Sequence, residues 1–382
     1  MKQHVTVLGS TGSIGRQALD VIRSRSERFT LFAISANSNI DLLIEQTRRW
    51  RPKYVACRHL LHAADFPEGT VLLCGESAIA ELASLDDADI VVNGISGLAA
   101  LEPLLCALKA GKRVALANKE SIVCGHHLVD DAMQDFGGEL LPVDSEQSAI
   151  FQCLNCGAYS EVSRLWLTAS GGPFWQMSDE ELKHVTVHDA LRHPTWSMGS
   201  KITIDSATLF NKGLEVMEAS YLFQIPAERI DVLIHPQSIV HSMVEFTDCS
   251  MMANLSCPDM RLPIQYAMTY PDRAPSPCER LSLADIGQLT FHRADRNRFA
   301  GLRLAYAALF AGGTMPTVYN AANEAAVSLF MEERIGFTDI ADFVDDAMMR
   351  HAVHSANLMQ DILEADSQAR LSVEHFLHTH FE

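Results

Sequence analysis

An apolar segment, Val5–Leu8, leads directly into Gly9-Ser10-Thr11-Gly12-Ser13-Ile14-Gly15, and a helical pattern follows at once. No other feature of the chain constrains its fold as strongly. The three glycines permit a tight turn and a close approach of the backbone to a pyrophosphate, which the free N–H groups of the helix N-terminus can bind. A glycine triplet alone is weak evidence, but at the first strand-to-helix turn it predicts a dinucleotide site.

Strand-like and helix-like segments alternate through the first ~145 residues at the spacing typical of a parallel sheet. Their continuous apolar runs suit strands that are covered on both faces. We therefore predict an α/β fold with an N-terminal Rossmann-like parallel sheet. The predicted strands are Val5–Leu8, Phe29–Ser35, Tyr54–Cys57, Val71–Cys74, Ile90–Val92, Arg113–Ala117 and Glu139–Val143, with a helix at Ser13–Arg25 and another ending at Trp50.

The pattern changes after about residue 150, where a second sheet with intervening helices is predicted. We expect a central α+β domain and a C-terminal helical bundle. The predicted strands are Arg164–Ala169, Asp231–Ile234 and Ile239–Phe246, and the predicted late helices are Gly301–Ala311, Tyr319–Glu332, Ile340–His351 and a segment from about 367. The predicted domains are 1–144 with the dinucleotide turn, 145–270 with the second sheet, 271–296 as a linker, and 297–382 for the helices.

The formal net charge of −18 argues against nucleic acid and anionic membranes as partners, because both need a basic face. Polar residues and a proline interrupt the apolar stretch Ile90–Leu108, which favours a buried strand plus helix over a membrane span. Because Met1–Val5 leads directly into the first strand, we expect no signal or transit peptide. The nine scattered cysteines include one CxxC pair, Cys153 and Cys156, without the second pair that would complete a zinc site. We predict a cytoplasmic protein with reduced thiols.

The second strand ends in Ser35-Ala36-Asn37-Ser38-Asn39, without the acid that usually holds the ribose 2′-hydroxyl of NAD. An acid there would repel a 2′-phosphate, so its absence favours NADP, although the turn contains no Lys or Arg either. Further along, Asn118-Lys119-Glu120 follows a strand and faces the ligand crevice of such a sheet. A solvated turn before a helix from Ser121 explains these three residues equally well.

Strand Glu139–Val143 ends in Asp144-Ser145-Glu146. In an extended segment both carboxylates point to the same side, and such a pair is stabilised by a hard divalent cation such as Mg²⁺ or Mn²⁺. A helix cap is an equally good interpretation of this pattern taken alone.

The next predicted helix has Ser206 as its N-cap and a buried face formed by Leu209, Phe210, Leu214, Met217, Tyr221 and Leu222. Asn211, Lys212 and Glu215 share a polar face, where they suit a phosphate and a third metal ligand. An ordinary surface Lys–Glu pair is the simpler interpretation of this spacing. Gly213 in mid-helix costs about 1 kcal/mol against alanine, which predicts a close approach by another group.

Two loops complete the candidates. Ser170-Gly171-Gly172-Pro173 follows a strand, and its amides could hold an oxyanion, although such a motif is more often a plain turn. The segment 192–199 collects Pro, Trp and Gly and predicts a mobile loop, in which His193 is well placed to close over a pocket.

Eight sequence blocks, in order along most of the chain, resemble those of the 1-deoxy-D-xylulose 5-phosphate reductoisomerase family. They are GSTGSIG at Gly9–Gly15, LANKES at Leu116–Ser121, LPVDSE at Leu141–Glu146, SGGPF at Ser170–Phe174, HPTWSMG at His193–Gly199, DSATLFNKGLE at Asp205–Glu215, HPQSIVHSMV at His235–Val244 and NAANE at Asn320–Glu324.

This resemblance implies a homodimer and a catalytic site assembled from these blocks. It implies that domain 1–144 binds NADPH and that 145–270 is the central α+β catalytic domain for metal and substrate, with a flap near 190–200. It implies metal ligands at Asp144, Glu146 and Glu215, for Mg²⁺ or Mn²⁺ with Co²⁺ as a further option. The implied contacts to the sugar are Lys119, Ser145, Glu146 and Glu215. The implied contacts to the phosphate are Ser170, Ser206, Asn211 and Lys212. A closing flap is implied to contribute His193, Trp196 and Met198. Implied NADPH contacts are Thr11, Gly12, Ser13, Ile14, Asn37, Ser38, Asn39, Asn118, Glu120, Gly199 and Met260.

The implied reaction is a skeletal rearrangement of 1-deoxy-D-xylulose 5-phosphate followed by reduction with NADPH, which gives 2-C-methyl-D-erythritol 4-phosphate for isoprenoid synthesis. Two positions depart from the family pattern. Asn37-Ser38-Asn39 replaces a turn that often carries a basic residue, so NADPH preference would rest on amide and hydroxyl donors or on a nearby arginine such as Arg58. Gln147-Ser148 replaces a frequent His-Asn.

Two other interpretations of the chain compete with this one. One is an NADP-linked dehydrogenase of similar layout that needs no metal, and the acidic trio Asp144, Glu146 and Glu215 argues against it. The other is an inactive nucleotide-binding sensor, which would not need the full set of ligand-type residues.

Overall fold

A computed structural model describes residues 2–192 and 199–380. The chain packs as two compact units. The first unit comprises Met1–Ile122, His127–Ser148 and Asp259–Glu279, and the second comprises Val123–His126, Ala149–Pro258 and Arg280–Glu382. The division into three domains and a linker that the sequence predicts remains a prediction.

The strands of the described chain form two sheets, one in each unit. They are β1 Gln3–Leu8, β2 Phe29–Ser35, β3 Tyr54–Cys57, β4 Val71–Cys74, β5 Ile90–Asn93, β6 Arg113–Leu116, β7 Glu139–Pro142, β8 Val162–Ala169, β9 Ile230–Ile234, β10 Val240–Phe246, β11 Met251–Leu255 and β12 His292–Arg293.

The α-helices follow the strands in the first unit and dominate the end of the second. They are α1 Ser13–Ser24, α2 Ile40–Trp50, α3 Ala78–Ala83, α4 Leu101–Lys109, α5 Lys119–Phe136, α6 Ser145–Cys153, α7 Asp179–Leu182, α8 Val187–Ala190, α9 Ser200–Ala207, α10 Phe210–Phe223, α11 Arg261–Thr269, α12 Leu283–Ile286, α13 Ala300–Ala311, α14 Met315–Met331, α15 Asp339–Arg350 and α16 Met359–His380.

The sheet of the first unit has seven strands in the order β4-β3-β2-β1-β5-β6-β7, and every recorded pair is parallel. All seven predicted strands are confirmed. The buried runs of β1 and β5 explain the arrangement, since Val5, Val7 and Ile90 have no exposed surface. Strand order reverses between β1 and β5, and ligands of open α/β sheets bind beyond the carboxyl ends of strands at such a point.

Helix α1 covers this sheet with Ala18, Leu19, Val21 and Ile22, which recur at helical spacing and are buried. Helix α11, from much later in the chain, packs against α1 in the same unit. The stretch Ile90–Leu108 forms β5 and most of α4, as predicted. Within the described ranges, no helix combines the length and hydropathy needed to cross a membrane.

The sheet of the second unit has five strands in the order β11-β10-β8-β9-β12. Strands β8 and β9 are parallel, and the other pairs are antiparallel. The three predicted strands are confirmed as β8, β9 and β10, whereas the two edge strands were not predicted.

The helical end of the second unit is also confirmed. Helices α13 to α16 bury Leu304, Tyr319, Phe343 and Val373 in one core with residues of α10. The last helix begins at Met359, about two turns before the predicted start.

The helix predicted to begin after an N-cap at Ser206 is confirmed as α10, but its predicted N-terminus was wrong. Helix α9 ends at Ala207, Leu209 takes a left-handed conformation with φ of 60°, and α10 begins at Phe210. Ser206 therefore lies in the last turn of α9 and caps nothing. The break changes which side chains α10 presents to the rest of the second unit.

Candidate active site

The glycines at the end of β1 are required by close packing. Gly9 has a φ of +72°, and a Cβ there would lie 2.9 Å from the carbonyl oxygen of Gly94. A Cβ on Gly15 would lie 2.3 Å from the carbonyl oxygen of Gly9. The loop therefore fits between the ends of β1 and β5 only with glycine at both positions.

Helix α1 begins with exposed backbone at the carboxyl edge of the sheet. Gly12 is its N-cap and supplies no capping side chain, and the first turn contains no acid. Gly12 and Ser13 are exposed, while Thr11 and Ile14 are half-buried. These observations fit the pyrophosphate of a dinucleotide, because the N–H groups of the first turn can be satisfied by an anion.

The turn after β2 is exposed at Asn37, Ser38 and Asn39. Asn39 caps α2, since its side-chain oxygen accepts a hydrogen bond from Leu42 N at 3.1 Å. Part of the polarity of this turn is therefore explained by helix capping rather than by ligand binding.

Asn118 also caps a helix, and α5 begins at Lys119 rather than at the predicted Ser121. Its Oδ1 accepts from Ser121 N at 2.8 Å, and its Nδ2 donates to Gly97 O at 3.1 Å and to Glu120 Oε2 at 2.7 Å. Asn118 thus joins the ends of β5 and β6 and fixes Glu120 beside them.

The remaining NADPH candidates fall at helix starts in different units. Met260 is the N-cap residue of α11 and lies in the first unit with the glycine loop. Gly199 is the N-cap residue of α9 in the second unit, where its carbonyl accepts from Thr203 N and Oγ1.

Asp144 and Glu146 belong to a helix start, not to the extended segment on which their convergence was predicted. Helix α6 begins at Ser145, and Ser148 N donates to Asp144 O at 2.8 Å. The carboxylates nonetheless converge, because an oxygen of Asp144 lies within 4.8 Å of one of Glu146. Ser145 Oγ donates to Glu146 Oε2 at 2.5 Å.

Lys119 compensates the charge of this pair in the first unit. Its Nζ lies 2.6 Å from Asp144 Oδ2, and the two side chains are only 7% and 13% exposed. The contact forms because β6 and β7 are parallel neighbours, so the residues that follow them meet at one edge of the sheet. Two carboxylates beside a lysine, with Asp144 and Lys119 largely shielded from water, could hold a hard cation or hydroxyl groups.

In the second unit, Lys212 and Glu215 form a buried ion pair, so the interpretation as a surface pair was wrong. The two residues are 3% and 1% exposed. Lys212 Nζ donates to Glu215 Oε2 and, at 2.6 Å, to the carbonyl of Thr168 at the end of β8. Asn211 Nδ2 donates to the other oxygen of Glu215.

The Ser170 loop lies against the last turn of α9. Gly171 and Gly172 have φ values of +84° and +64°, and a Cβ on Gly172 would lie 2.8 Å from Ala207 Cα and 2.9 Å from Ser206 O. Ser170 Oγ accepts from Gly172 N at 3.2 Å. The loop of Ser170 therefore lies beside the last turn of α9, which contains Ser206, and Lys212 reaches the same end of β8.

The predicted flap residues His193, Trp196 and Met198 lie outside the described residues.

Sequence reasoning missed a buried hub, Asp205, one residue before Ser206. Asp205 is 1% exposed, accepts from Asn323 Nδ2 at 2.9 Å, and pairs with Lys201 Nζ at 2.7 Å. It joins α9 to α14. The signal in the sequence was the NAANE block, which supported the family resemblance but suggested no role for Asn323.

Three family models match the chain. The model described as 1-deoxy-D-xylulose 5-phosphate reductoisomerase matches residues 5–126, the C-terminal domain of that enzyme matches 140–223, and the DXP reductoisomerase C-terminal domain matches 255–372. A 1-deoxy-D-xylulose 5-phosphate reductoisomerase of Chlorobium phaeobacteroides is 50% identical over 371 residues, which are 96% of this chain and 97% of that relative. The chain belongs to the 1-deoxy-D-xylulose 5-phosphate reductoisomerase family.

Other members of the reductoisomerase family are similarly close. The Bacillus anthracis protein named 1-deoxy-D-xylulose 5-phosphate reductoisomerase 2 is 50% identical over 372 residues, which are 96% of this chain and 98% of that relative. The Zymomonas mobilis reductoisomerase in complex with NADPH has a TM-score of 0.93 and 40% identity, with 99% and 100% of the chains covered. A DOX-P reductoisomerase in complex with NADPH, fosmidomycin and magnesium has a TM-score of 0.92 and 36% identity, with 98% of both chains covered.

Proposed function

We propose that this chain catalyses the NADPH-dependent conversion of 1-deoxy-D-xylulose 5-phosphate to 2-C-methyl-D-erythritol 4-phosphate, with a divalent cation. The observation that carries the proposal is 50% identity to a reductoisomerase across 96% of the chain. In the reaction one carbon–carbon bond of the ketose phosphate breaks, another forms, and the resulting aldehyde takes up a hydride and a proton, so that NADPH becomes NADP⁺.

The glycine loop and the start of α1 would hold the pyrophosphate of NADPH. Two observations support a pyrophosphate there: the tight packing of Gly9 and Gly15, and the first turn of α1, which has no side-chain cap. Bound there, NADPH supplies the hydride. The proposed NADPH contacts in the same unit are Thr11–Ile14, Asn37–Asn39, Asn118, Glu120 and Met260. The proposed NADPH contact in the other unit is Gly199.

The substrate phosphate would bind at the end of β8. Ser170 and Ser206 offer hydroxyl groups, and Lys212 offers a positive charge in a setting that excludes water. Asn211, bonded to Glu215, adds an amide. A phosphate held in this way fixes the orientation of the sugar, which is the main requirement of an intramolecular rearrangement.

Asp144, Glu146 and Glu215 are the proposed ligands of a divalent cation. Hard carboxylate oxygens suit Mg²⁺ or Mn²⁺, and Asp144 and Glu146 already lie within reach of one ion. The bound ion would polarise the carbonyl and hydroxyl oxygens of the substrate as a Lewis acid. Lys119 and Ser145 would then position the sugar hydroxyls, and His193, Trp196 and Met198 are proposed to cover it.

The decisive experiment follows NADPH absorbance with 1-deoxy-D-xylulose 5-phosphate and Mg²⁺, with and without a chelator. We expect turnover that the chelator abolishes and added Mg²⁺ or Mn²⁺ restores. Folded protein without turnover would refute the proposal. Turnover that resists the chelator would refute the metal and would favour a metal-independent dehydrogenase.

Glu215→Gln tests the third ligand. Because even outer-shell changes at metal sites cost about 10- to 100-fold, we expect turnover to fall by more than about 100-fold. NADPH affinity, measured by fluorescence titration, should stay within about twofold of the unchanged chain. Glu228→Gln, an exposed acid in the same unit, is the matched control. Equal loss of turnover and NADPH affinity would show that Glu215 is misplaced.

The homodimer, the use of manganese or cobalt, and the cytoplasmic location are proposals that rest on the family resemblance and the composition.

A further inference from the structure

The turn after β2 lacks any positive charge for a 2′-phosphate. Its residues 36–39 read Ala-Asn-Ser-Asn, and the side chain of Asn39 is engaged with Leu42 N. A 2′-phosphate carries close to two negative charges and is bound most strongly by charge-assisted hydrogen bonds. A cation from another part of the same edge is therefore expected.

Arg58 leaves the sheet directly beside this turn. Strands β2 and β3 are parallel, with Ser35 opposite Ala56, so Asn37 and Arg58 occupy equivalent positions two residues further on. The backbone stays in contact there, since Ala36 N donates to Ala56 O at 3.2 Å and Cys57 Sγ lies 3.8 Å from Asn37 O.

Of strands β1 to β4, all of which lie in the described part of the chain, only β3 is followed within three residues by a lysine or arginine. Among the first three residues after each of the seven strands, Arg58 and Lys119 are the lysine or arginine residues. Lys119 follows β6 and is paired with Asp144 after β7, and both strands lie on the opposite side of β1 from β2 and β3. Arg58 is thus the cation that the fold places next to the second strand.

Arg58 is paired with a carboxylate that a phosphate group can displace. It forms an ion pair with Glu76, which follows β4, and the two side chains are 45% and 81% exposed. Exposed ion pairs are weak, because water and salt screen them. A phosphate, with more charge and a geometry that matches the guanidinium fork, can replace the single carboxylate.

We propose that Arg58 binds the 2′-phosphate of NADPH and is the residue by which this chain prefers NADPH to NADH. This inference rests on the proposed function, since it assumes that the glycine loop binds the cofactor. In this chain the cation follows the third strand rather than the second, and it pairs with Glu76 when no phosphate is bound.

Arg58→Gln tests the proposal by cofactor binding and by turnover. Loss of one charge-assisted phosphate contact should weaken NADPH binding about tenfold or more, measured by fluorescence titration. NADH binding should change by less than about twofold, because NADH has no 2′-phosphate. The KM for NADPH should rise while kcat stays near that of the unchanged chain.

Two further measurements isolate the phosphate itself. Adenosine 2′-monophosphate should bind the unchanged chain more tightly than adenosine 5′-monophosphate by calorimetry, and Arg58→Gln should remove the difference. Arg23→Gln is the matched control, since Arg23 also forms an exposed ion pair in the first unit, with Asp20, but far from the strand ends. Arg58→Lys should recover part of the NADPH affinity.

Equal losses for NADPH and NADH in Arg58→Gln, or no loss for either, would overturn the assignment. So would an unchanged preference for the 2′-monophosphate. If the unmutated chain bound neither NADPH nor NADH, the proposed function would be contradicted instead. Failure of the Arg58 assignment and failure of the proposed function are therefore distinguishable.

Discussion

Replacing Gly213 with alanine probes the packing that holds α10, which carries the residues proposed to bind the phosphate and the metal. A Cβ at this position would lie 2.2 Å from Tyr319 Oη and 2.7 Å from Ala305 Cβ. Tyr319 has no exposed surface, and its hydroxyl donates to Gly301 O at 2.9 Å. The close approach that a glycine in mid-helix predicted is therefore present, and the approaching group is a tyrosine hydroxyl.

The expected cost follows from three opposing contributions. Overpacking a tight core costs about 1–3 kcal/mol. Displacing the tyrosine hydroxyl from Gly301 O costs about 1 kcal/mol more. The higher helix propensity of alanine stabilises the variant by about 1 kcal/mol relative to glycine. We expect Gly213→Ala to lower the free energy of unfolding by about 2 kcal/mol, measured by urea denaturation.

A double-mutant cycle identifies the cause. Tyr319→Phe removes the clashing oxygen and alone should cost about 1 kcal/mol, because Gly301 O loses its donor. The double variant should be more stable than the sum of the two losses by about 1 kcal/mol or more. Additive losses, or a neutral Gly213→Ala, would refute the reasoning. Turnover of Gly213→Ala should also fall, since Lys212 and Glu215 flank the displaced turn.

Two further predictions concern buried polar groups of the second unit. Asn323→Ala removes a hydrogen-bond donor from Asp205 and should cost about 1–3 kcal/mol of stability. It should also raise the KM for the sugar phosphate, because Asp205 precedes Ser206, whereas Asn155→Ala at an exposed position should change neither quantity. An unchanged KM in Asn323→Ala would show that Asp205 has no positioning role. Burial lowers the pKa of His235 below 6.5, and its Nε2 accepts from Ile239 N and Val240 N, so the native state binds fewer protons than the unfolded chain. The stability contributed by His235 is therefore present above about pH 6.5 and is lost as the pH falls through the pKa of the folded state. In urea titrations at a series of pH values, His235→Gln should show a smaller loss of stability with falling pH. An identical loss in both proteins would contradict the assignment.

The parallel sheet could be predicted from the sequence because each strand is a short apolar run bounded by polar or glycine residues. Phe29–Ser35, Tyr54–Cys57 and Val71–Cys74 have the predicted bounds. Strand β11 was missed for the opposite reason: it lies at an edge, and four of its five residues are exposed, so burial imposes no pattern on Met251–Leu255.

The break between α9 and α10 could not be predicted from local pattern. Neither glycine nor proline marks it, and Leu209 adopts a left-handed conformation that leucine rarely takes. The cause is tertiary. The Gly172 turn occupies the space beside Ala207, and the break sets α10 so that Lys212 reaches the carbonyl of Thr168.

The same limit applies to the most informative pair in the site. Lys212 and Glu215 have the i,i+3 spacing of countless surface pairs, and only the surrounding elements decide that both are buried. Burying such a pair costs several kcal/mol in desolvation for each ion, and apolar residues of similar volume would often be as stable. Stability therefore gives no reason to keep a lysine and a glutamate here, beside a glycine turn and a strand end. Binding an anion and a dication does, which is why the burial of these two charges supports the proposed chemistry more strongly than their spacing could.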